Sequence, residues 1–316
     1  MREVARIAMW SGPRTLSTAL MRSFENRPDT VVVDEPLYGY YLAETGIDHP
    51  GRNEIMRSMP MRWPEVVEQL TSGPLPPGRT VYYQKHMTHH LLPGVDRGLL
   101  GRLRHAFLIR DPRRLLASYA KVRDTPTLAD LGLEQQVEIY RLFGGPVIDA
   151  ADLAARPQET LKALCGALGI GFDPAMLSWP PGPRPTDGVW ARNWYARVWA
   201  STGFTPKRDS GGGAATPAPP DSGGGGAADA TPPDELPAAL EGLAARCQPF
   251  YDELAAGRGR WPRPRPSADH DRGGLTVLYI QRQLIMIMEL ASRRNAACCR
   301  CSTSGTATSS SMSAGA

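Results

Sequence analysis

Four short apolar or β-branched runs constrain this chain most. They are VARIAMW (4–10), TVVVDEP (30–36), TVYYQKH (80–86) and HAFLIRDP (105–112), each closed by turn or polar residues. Runs of this length and composition read as strands. Helical periodicity falls between and after them, over 15–25, 64–71, 112–122, 134–143 and 157–168. The alternation predicts an α/β fold, a parallel β-sheet flanked by helices on both faces. Ligands of such sheets bind beyond the carboxyl ends of the strands. The residues just after each strand are therefore the ones to inspect.

The α/β pattern occupies residues 1–208. Residues 209–234 are low in complexity, rich in Gly, Ala and Pro, and read as a flexible insertion. A helix pattern resumes over 235–257 and is expected to complete the same domain. Residues 258–316 turn rich in Pro, Arg, Ser and Thr; they are expected to be mostly disordered, with a short helix near 276–292. A net charge of +4 across 316 residues suits an anionic ligand and is too mild for a nucleic-acid partner. Cys165 and Cys247 sit in apolar helical patterns and read as buried thiols. The CCRC of 298–301 has no second ligand pair or histidine cluster beside it, so no metal site is expected. Residues 1–10 carry no apolar stretch of signal-peptide length. The apolar segment 275–290 is broken by Gln281, Arg282 and Gln283, too polar to span a bilayer. The expectation is a cytoplasmic protein with a small-molecule partner, no membrane contact and an open oligomeric state.

The stretch MWSGPRTLSTAL (9–20) joins the first strand to the first helix. After a turn at Ser11, Gly12 and Pro13, residues 14–18 open the helix. Free backbone N–H groups and the helix dipole favour an anion there. Thr15, Ser17 and Thr18 add hydroxyls, and Arg14 adds a forked cation. The stretch has one glycine and no lysine, so the triphosphate-wrapping G-x-x-x-x-G-K-[ST] pattern is absent. A well-capped helix with Arg14 in solvent is the plain alternative.

A second such arrangement follows in HAFLIRDPRRLLASYAKV (105–122). The strand ends at Arg110, Asp111 suits an N-cap and Pro112 suits the first helical position. Ser118 lies about 10 Å along the helix axis from its start. Arg110 and Ser118 facing one crevice suit a second phosphate; otherwise Arg110 pairs locally and Ser118 only packs. Two anion sites in one crevice point to a ligand with phosphates at both ends.

These residues resemble the PAPS-dependent sulfotransferases. SGPRTLST is similar to that family's 5′-phosphosulfate loop, in a variant with Arg in place of the usual lysine. LIRDPRRLLASYAKV is similar to its 3′-phosphate motif, and VIDAADLAARPQETLKALCGALGIGF (147–172) to its strand, acidic segment and following helix. The resemblance covers roughly residues 4–208 and 235–256 and implies a P-loop-like sulfotransferase fold. It implies that Arg14, Thr15, Leu16, Ser17 and Thr18 bind the 5′-phosphosulfate of PAPS, and that Arg110 and Ser118 bind its 3′-phosphate. DGVWARNWYARVWASTGF (187–204) resembles the segment that closes over the nucleotide, with Arg192 and Arg197 as candidate contacts. It lacks the R-K-G-x-x-G run of the cytosolic members.

Transfer of a sulfonate to a hydroxyl or amine needs a base for the acceptor's proton and cations for the leaving phosphate. Two candidate bases follow strands. Glu35 closes VVVDEP where family members with an Arg-type loop often place a catalytic Glu. His86 closes VYYQKH, and Lys85 is the candidate cation beside the transferring group. Strand alternation is expected to put Lys85 and His86 on opposite faces, and likewise Asp34 and Glu35. His89 and His90 read as loop residues. Tyr38, Tyr40, Tyr41, Trp63, Trp190 and Trp194 are candidates for an apolar pocket. A non-catalytic nucleotide-binding or interaction protein on the same fold is the alternative; a P-loop nucleotide kinase is disfavoured by the missing lysine.

Overall fold

The computed structural model describes residues 3–121, 126–204 and 236–259. Five strands form one parallel sheet: β1 (Ala5–Ser11), β2 (Thr30–Asp34), β3 (Val81–Met87), β4 (Arg104–Ile109) and β5 (Val147–Asp149). Their order is β2-β3-β1-β4-β5. The first four occupy the runs read as strands, within a residue or three at each end. The helices in chain order are α1 (Ser17–Glu25), α2 (Tyr38–Thr45), α3 (Arg52–Ser58), α4 (Trp63–Thr71), α5 (Pro112–Tyr119), α6 (Leu128–Leu131) and α7 (Leu133–Phe143). They continue with α8 (Ala150–Ala155), α9 (Pro157–Ala167), α10 (Ala191–Trp194), α11 (Ala196–Ala200) and α12 (Ala238–Ala255).

Both sheet faces are buried. On one, Ile7, Met9, Tyr83 and Leu108 pack against Leu20 and Phe24 of α1 and Leu161 and Leu164 of α9. On the other, Ala8, Trp10, Phe107 and Ile109 pack against Val66 and Leu70 of α4 and Val137 of α7. Burying a leucine or phenylalanine side chain contributes about 1.5–3 kcal/mol, so these two layers dominate the favourable side of folding. Cys165 and Cys247 are free, buried thiols, as their apolar patterns indicated.

Helix α12 lies on the same body as the sheet: Leu240, Ala244 and Cys247 pack on Leu115 and Leu116 of α5. Arg141 is ion-paired to Glu253, Arg113 to Glu241, and Tyr251 donates to Asp149 at the end of β5. The low-complexity stretch 209–234, the tail beyond 259 with its expected helix near 276–292, and Cys298, Cys299 and Cys301 lie outside the described residues. Among the described residues no helix is long and apolar enough to cross a membrane.

The connection after β1 leads to β2 on one side; that after β4 leads to β5 on the other. The carboxyl ends of β1 and β4 therefore flank the crevice where such sheets take ligands.

Candidate active site

The loop after β1 turns at two residues other than glycine. Arg14 and Leu16 both take left-handed conformations, with φ of 61° and 67°. Alternation between left- and right-handed residues turns successive N–H groups toward one side, the arrangement that holds anions. Leu16 is also the N-cap of α1 and offers no capping side chain, so the first-turn N–H groups are not covered from within the loop by that residue. Thr15 Oγ1 donates to the Gly12 carbonyl at 2.9 Å, so this hydroxyl shapes the loop; Ser17 and Thr18 open α1 and are buried. Gly12 is fixed by space: a Cβ there would lie 2.9 Å from the Leu131 carbonyl oxygen.

Asp111 accepts from the Arg114 N–H as the N-cap of α5, and Pro112 is its first residue. That geometry brings the second motif onto the first. Arg14 Nε donates to Ser118 Oγ at 3.0 Å, and Arg110 Nη1 donates to the Arg14 carbonyl at 2.7 Å. Segments about a hundred residues apart thus build one cationic, hydroxyl-bearing corner between β1 and β4.

Beside it, at the ends of β2 and β3, lies a buried ion cluster. Lys85 Nζ donates to Asp34 Oδ1 (2.8 Å), Glu35 Oε1 (2.7 Å) and the Tyr195 hydroxyl (2.8 Å). The Tyr195 hydroxyl in turn donates to Asp34 Oδ2 at 2.6 Å. Lys85 is 1 % exposed, yet its ammonium is held well above its ordinary pKa, because the attraction of Asp34 and Glu35 outweighs the opposing effect of burial. Burial pushes the Glu35 carboxyl up, with the charge of Asp34 adding and that of Lys85 opposing.

The expected separation of Asp34 from Glu35 is not found; both reach Lys85. Alternation fails because Glu35 lies past the end of β2 with φ of 43°, although its N–H still bonds the Lys85 carbonyl at 2.9 Å. A residue before proline ordinarily takes extended backbone, so this conformation carries strain of order 1–3 kcal/mol. Among the described residues, the non-glycine residues with positive φ are Arg14, Leu16 and Glu35. All three are at the crevice, where such strain tends to concentrate.

His86 lies on the opposite face of β3 from Lys85. It is buried, stacked on Trp10 at 4.2 Å between ring centroids, and its Nε2 is 3.2 Å from Gln84 Oε1. Burial pulls its pKa down to about 3. It does not join Glu35 and Lys85.

Sequence reasoning missed Tyr195, and no local signal marks it: it comes from the turn between α10 and α11, 110 residues from Lys85. The candidate Arg192 is exposed and paired with Glu54 on α3; Arg197 is exposed. The aromatic candidates divide. Tyr40 and Trp63 pack in the core under α4, whereas Tyr38 and Trp190 share a cluster with Tyr195. His89 and His90 fall in a 3-10 turn over 88–90, with His90 stacked on Tyr38 at 4.5 Å. Among the described residues no group of three or more His, Cys, Asp or Glu is placed to hold a metal ion.

Fold and site together define a parallel α/β protein with a corner built by Arg14, Arg110 and Ser118 and a buried lysine–carboxylate cluster. A family model described as a sulfotransferase domain matches residues 5–213, more than half of the chain, and the chain belongs to that family. Branched-chain-amino-acid aminotransferase-like protein 1 of Arabidopsis thaliana is 44 % identical over 215 residues, covering 66 % of this chain and 38 % of its own length. The chain thus spans under two fifths of that plant protein. The sulfotransferase domain from the curacin biosynthetic pathway aligns with 17 % identity and a TM-score of 0.40, over 60 % of this chain and 83 % of its own. A sulfotransferase from Alicyclobacillus acidocaldarius aligns with 13 % identity and a TM-score of 0.42, over 54 % and 87 %.

Proposed function

We propose that this chain transfers a sulfonate group from PAPS (3′-phosphoadenylyl sulfate) to a hydroxyl or amine of a small-molecule acceptor. The observation that carries the reading is the meeting of the two motifs, with Arg14 bonded to Ser118 and Arg110 to the Arg14 carbonyl. A turned backbone, two guanidinium groups and hydroxyls in one corner fit a nucleotide with phosphates at both ends. PAPS supplies a sulfonate carried on a phosphate leaving group. In this reading the N–H groups of residues 14–18 and the Arg14 cation hold the 5′-phosphosulfate, and Arg110 and Ser118 hold the 3′-phosphate. Glu35 takes the proton that the acceptor loses. A carboxylate whose basicity is raised by burial suits that task near neutral pH. Lys85 places a positive charge next to Glu35, where charge develops on the transferring group. His86, on the other face with a pKa pulled to about 3, takes no part.

A nucleotide-binding protein without turnover is the second reading. It is favoured by one observation: all three N–H donors of Lys85 are already engaged. One experiment separates the two. The full chain is incubated with ³⁵S-labelled PAPS and a cell extract, and products are resolved by mass. A labelled product that disappears in Glu35→Gln supports transfer. Binding of PAP with no labelled product from any extract supports the second reading.

A further inference from the structure

Lys85 is shared by two carboxylates, and their surroundings differ. Asp34 is buried, and both its oxygens are bonded, one to Lys85 and one to the Tyr195 hydroxyl. The Glu35 side chain is 12 % exposed and lies past the strand end, at the crevice. Tyr195 is itself tightly placed. Its segment is anchored to α1 by Arg22, a guanidinium 1 % exposed that pairs with both Glu25 and Asp187. Trp199 Nε1 and the Arg184 N–H also donate to Asp187.

We infer that Asp34 and Tyr195 are positioning residues: together they serve as the standing counter-ion of Lys85, so that Glu35 alone of the two carboxylates stays available to accept a proton. This inference rests on the reading of Glu35 as the base. Its logic is electrostatic. One ammonium beside one carboxylate in a buried site forms a closed pair, and the carboxylate's pKa falls by about 1–3 units. With Asp34 already neutralising Lys85, that pull on Glu35 is largely spent. Titratable groups that interact with Glu35 include Lys85 of β3, Asp34 of β2, Tyr38 of α2 and Tyr195 between α10 and α11. Of these four, Lys85 carries the positive charge and bonds Glu35 directly, so what else binds Lys85 bears on Glu35.

The test is the titration of Glu35 in the full chain, followed by ¹³C NMR of Glu side-chain carboxyls and assigned by loss of its signal in Glu35→Gln. Asp34→Asn is expected to lower the Glu35 pKa by one unit or more, because Lys85 then has one carboxylate left. Tyr195→Phe keeps the ring and removes only the hydroxyl. It is expected to lower the Glu35 pKa by a smaller amount, and it stands as the test if Asp34→Asn does not fold. The acid limb of the pH–rate profile for labelled PAPS turnover is expected to move down with it. A merely structural Tyr195 leaves both readouts unmoved. A Glu35 titration unchanged within 0.3 unit, or raised, in the folded variants overturns the inference. Transfer that survives in Glu35→Gln overturns the base assignment itself, and the inference with it.

Discussion

Three buried histidines, His86, His90 and His105, make the stability of this protein sensitive to mild acid. His105 accepts from Trp10 Nε1 through Nδ1 at 3.0 Å, and its Nε2 lies 3.1 Å from the Leu100 carbonyl. Both ring nitrogens are committed in the neutral tautomer; a proton on Nδ1 displaces the indole donor. Burial lowers its pKa from 6.5 to about 4, and that of His86 from 6.5 to about 3. In the unfolded chain both titrate near the ordinary value. Between the folded and unfolded values the unfolded chain binds more protons, so stability rises with pH. The contribution is complete above about pH 7 and is lost as the pH falls through 6.5 toward 4. At pH 5 His86 and His105 each cost about 2 kcal/mol relative to pH 8, about 4 kcal/mol together, and His90, held well below 6.5 by burial, adds to this in the same sense. With a urea slope of about 2 kcal/mol/M, His86 and His105 alone lower the unfolding midpoint by about 2 M. Glu35, pushed up by burial, works in the opposite sense, so the decisive quantity is a difference between proteins. His86→Phe keeps a ring against Trp10 and removes one titrating group. It is expected to shrink the loss between pH 8 and pH 5 by about 2 kcal/mol. Urea titrations of both proteins at both pH values measure this, and an equal loss in the two refutes the reasoning.

Two further outcomes follow from the packing. Asp187→Asn removes one of the two carboxylates paired with the buried Arg22, leaving Glu25, and is expected to destabilise the fold by about 1.5–3 kcal/mol; urea unfolding at pH 7 measures it, and a change below about 0.5 kcal/mol contradicts the anchoring role. Burial pushes the Cys165 and Cys247 thiols up to about 11, so both are expected to react with a thiol reagent at pH 8 only as fast as the chain unfolds; modification at the rate of a free thiol contradicts it.

The four early strands were legible because β-branched runs between turn residues carry their own signal. So was the corner: Asp111 and Pro112 announce a helix start, which points Arg110 and Ser118 at the crevice. Helices α2 and α3 gave no such signal. In YGYYLAET a glycine and three aromatics blur the period, and RNEIMRS buries only Ile55. The left-handed turns at Arg14 and Leu16 were hidden too, since they run against intrinsic preference and are imposed by surroundings. The same holds for Glu35, whose φ of 43° breaks the alternation that sequence reasoning must assume. Tyr195 reaches Lys85 through the anchoring of a late segment to α1, a long-range contact no local pattern encodes.

The central claim is that two distant motifs build one site for a nucleotide phosphorylated at both 3′ and 5′ positions. Isothermal calorimetry of the full chain with adenosine 3′,5′-bisphosphate and with 5′-AMP tests it most directly. The account predicts at least tenfold tighter binding of the bisphosphate, and predicts that Arg110→Ala abolishes that preference while the chain stays folded by circular dichroism. Equal affinity for the two nucleotides, or a preference that survives in Arg110→Ala, contradicts it.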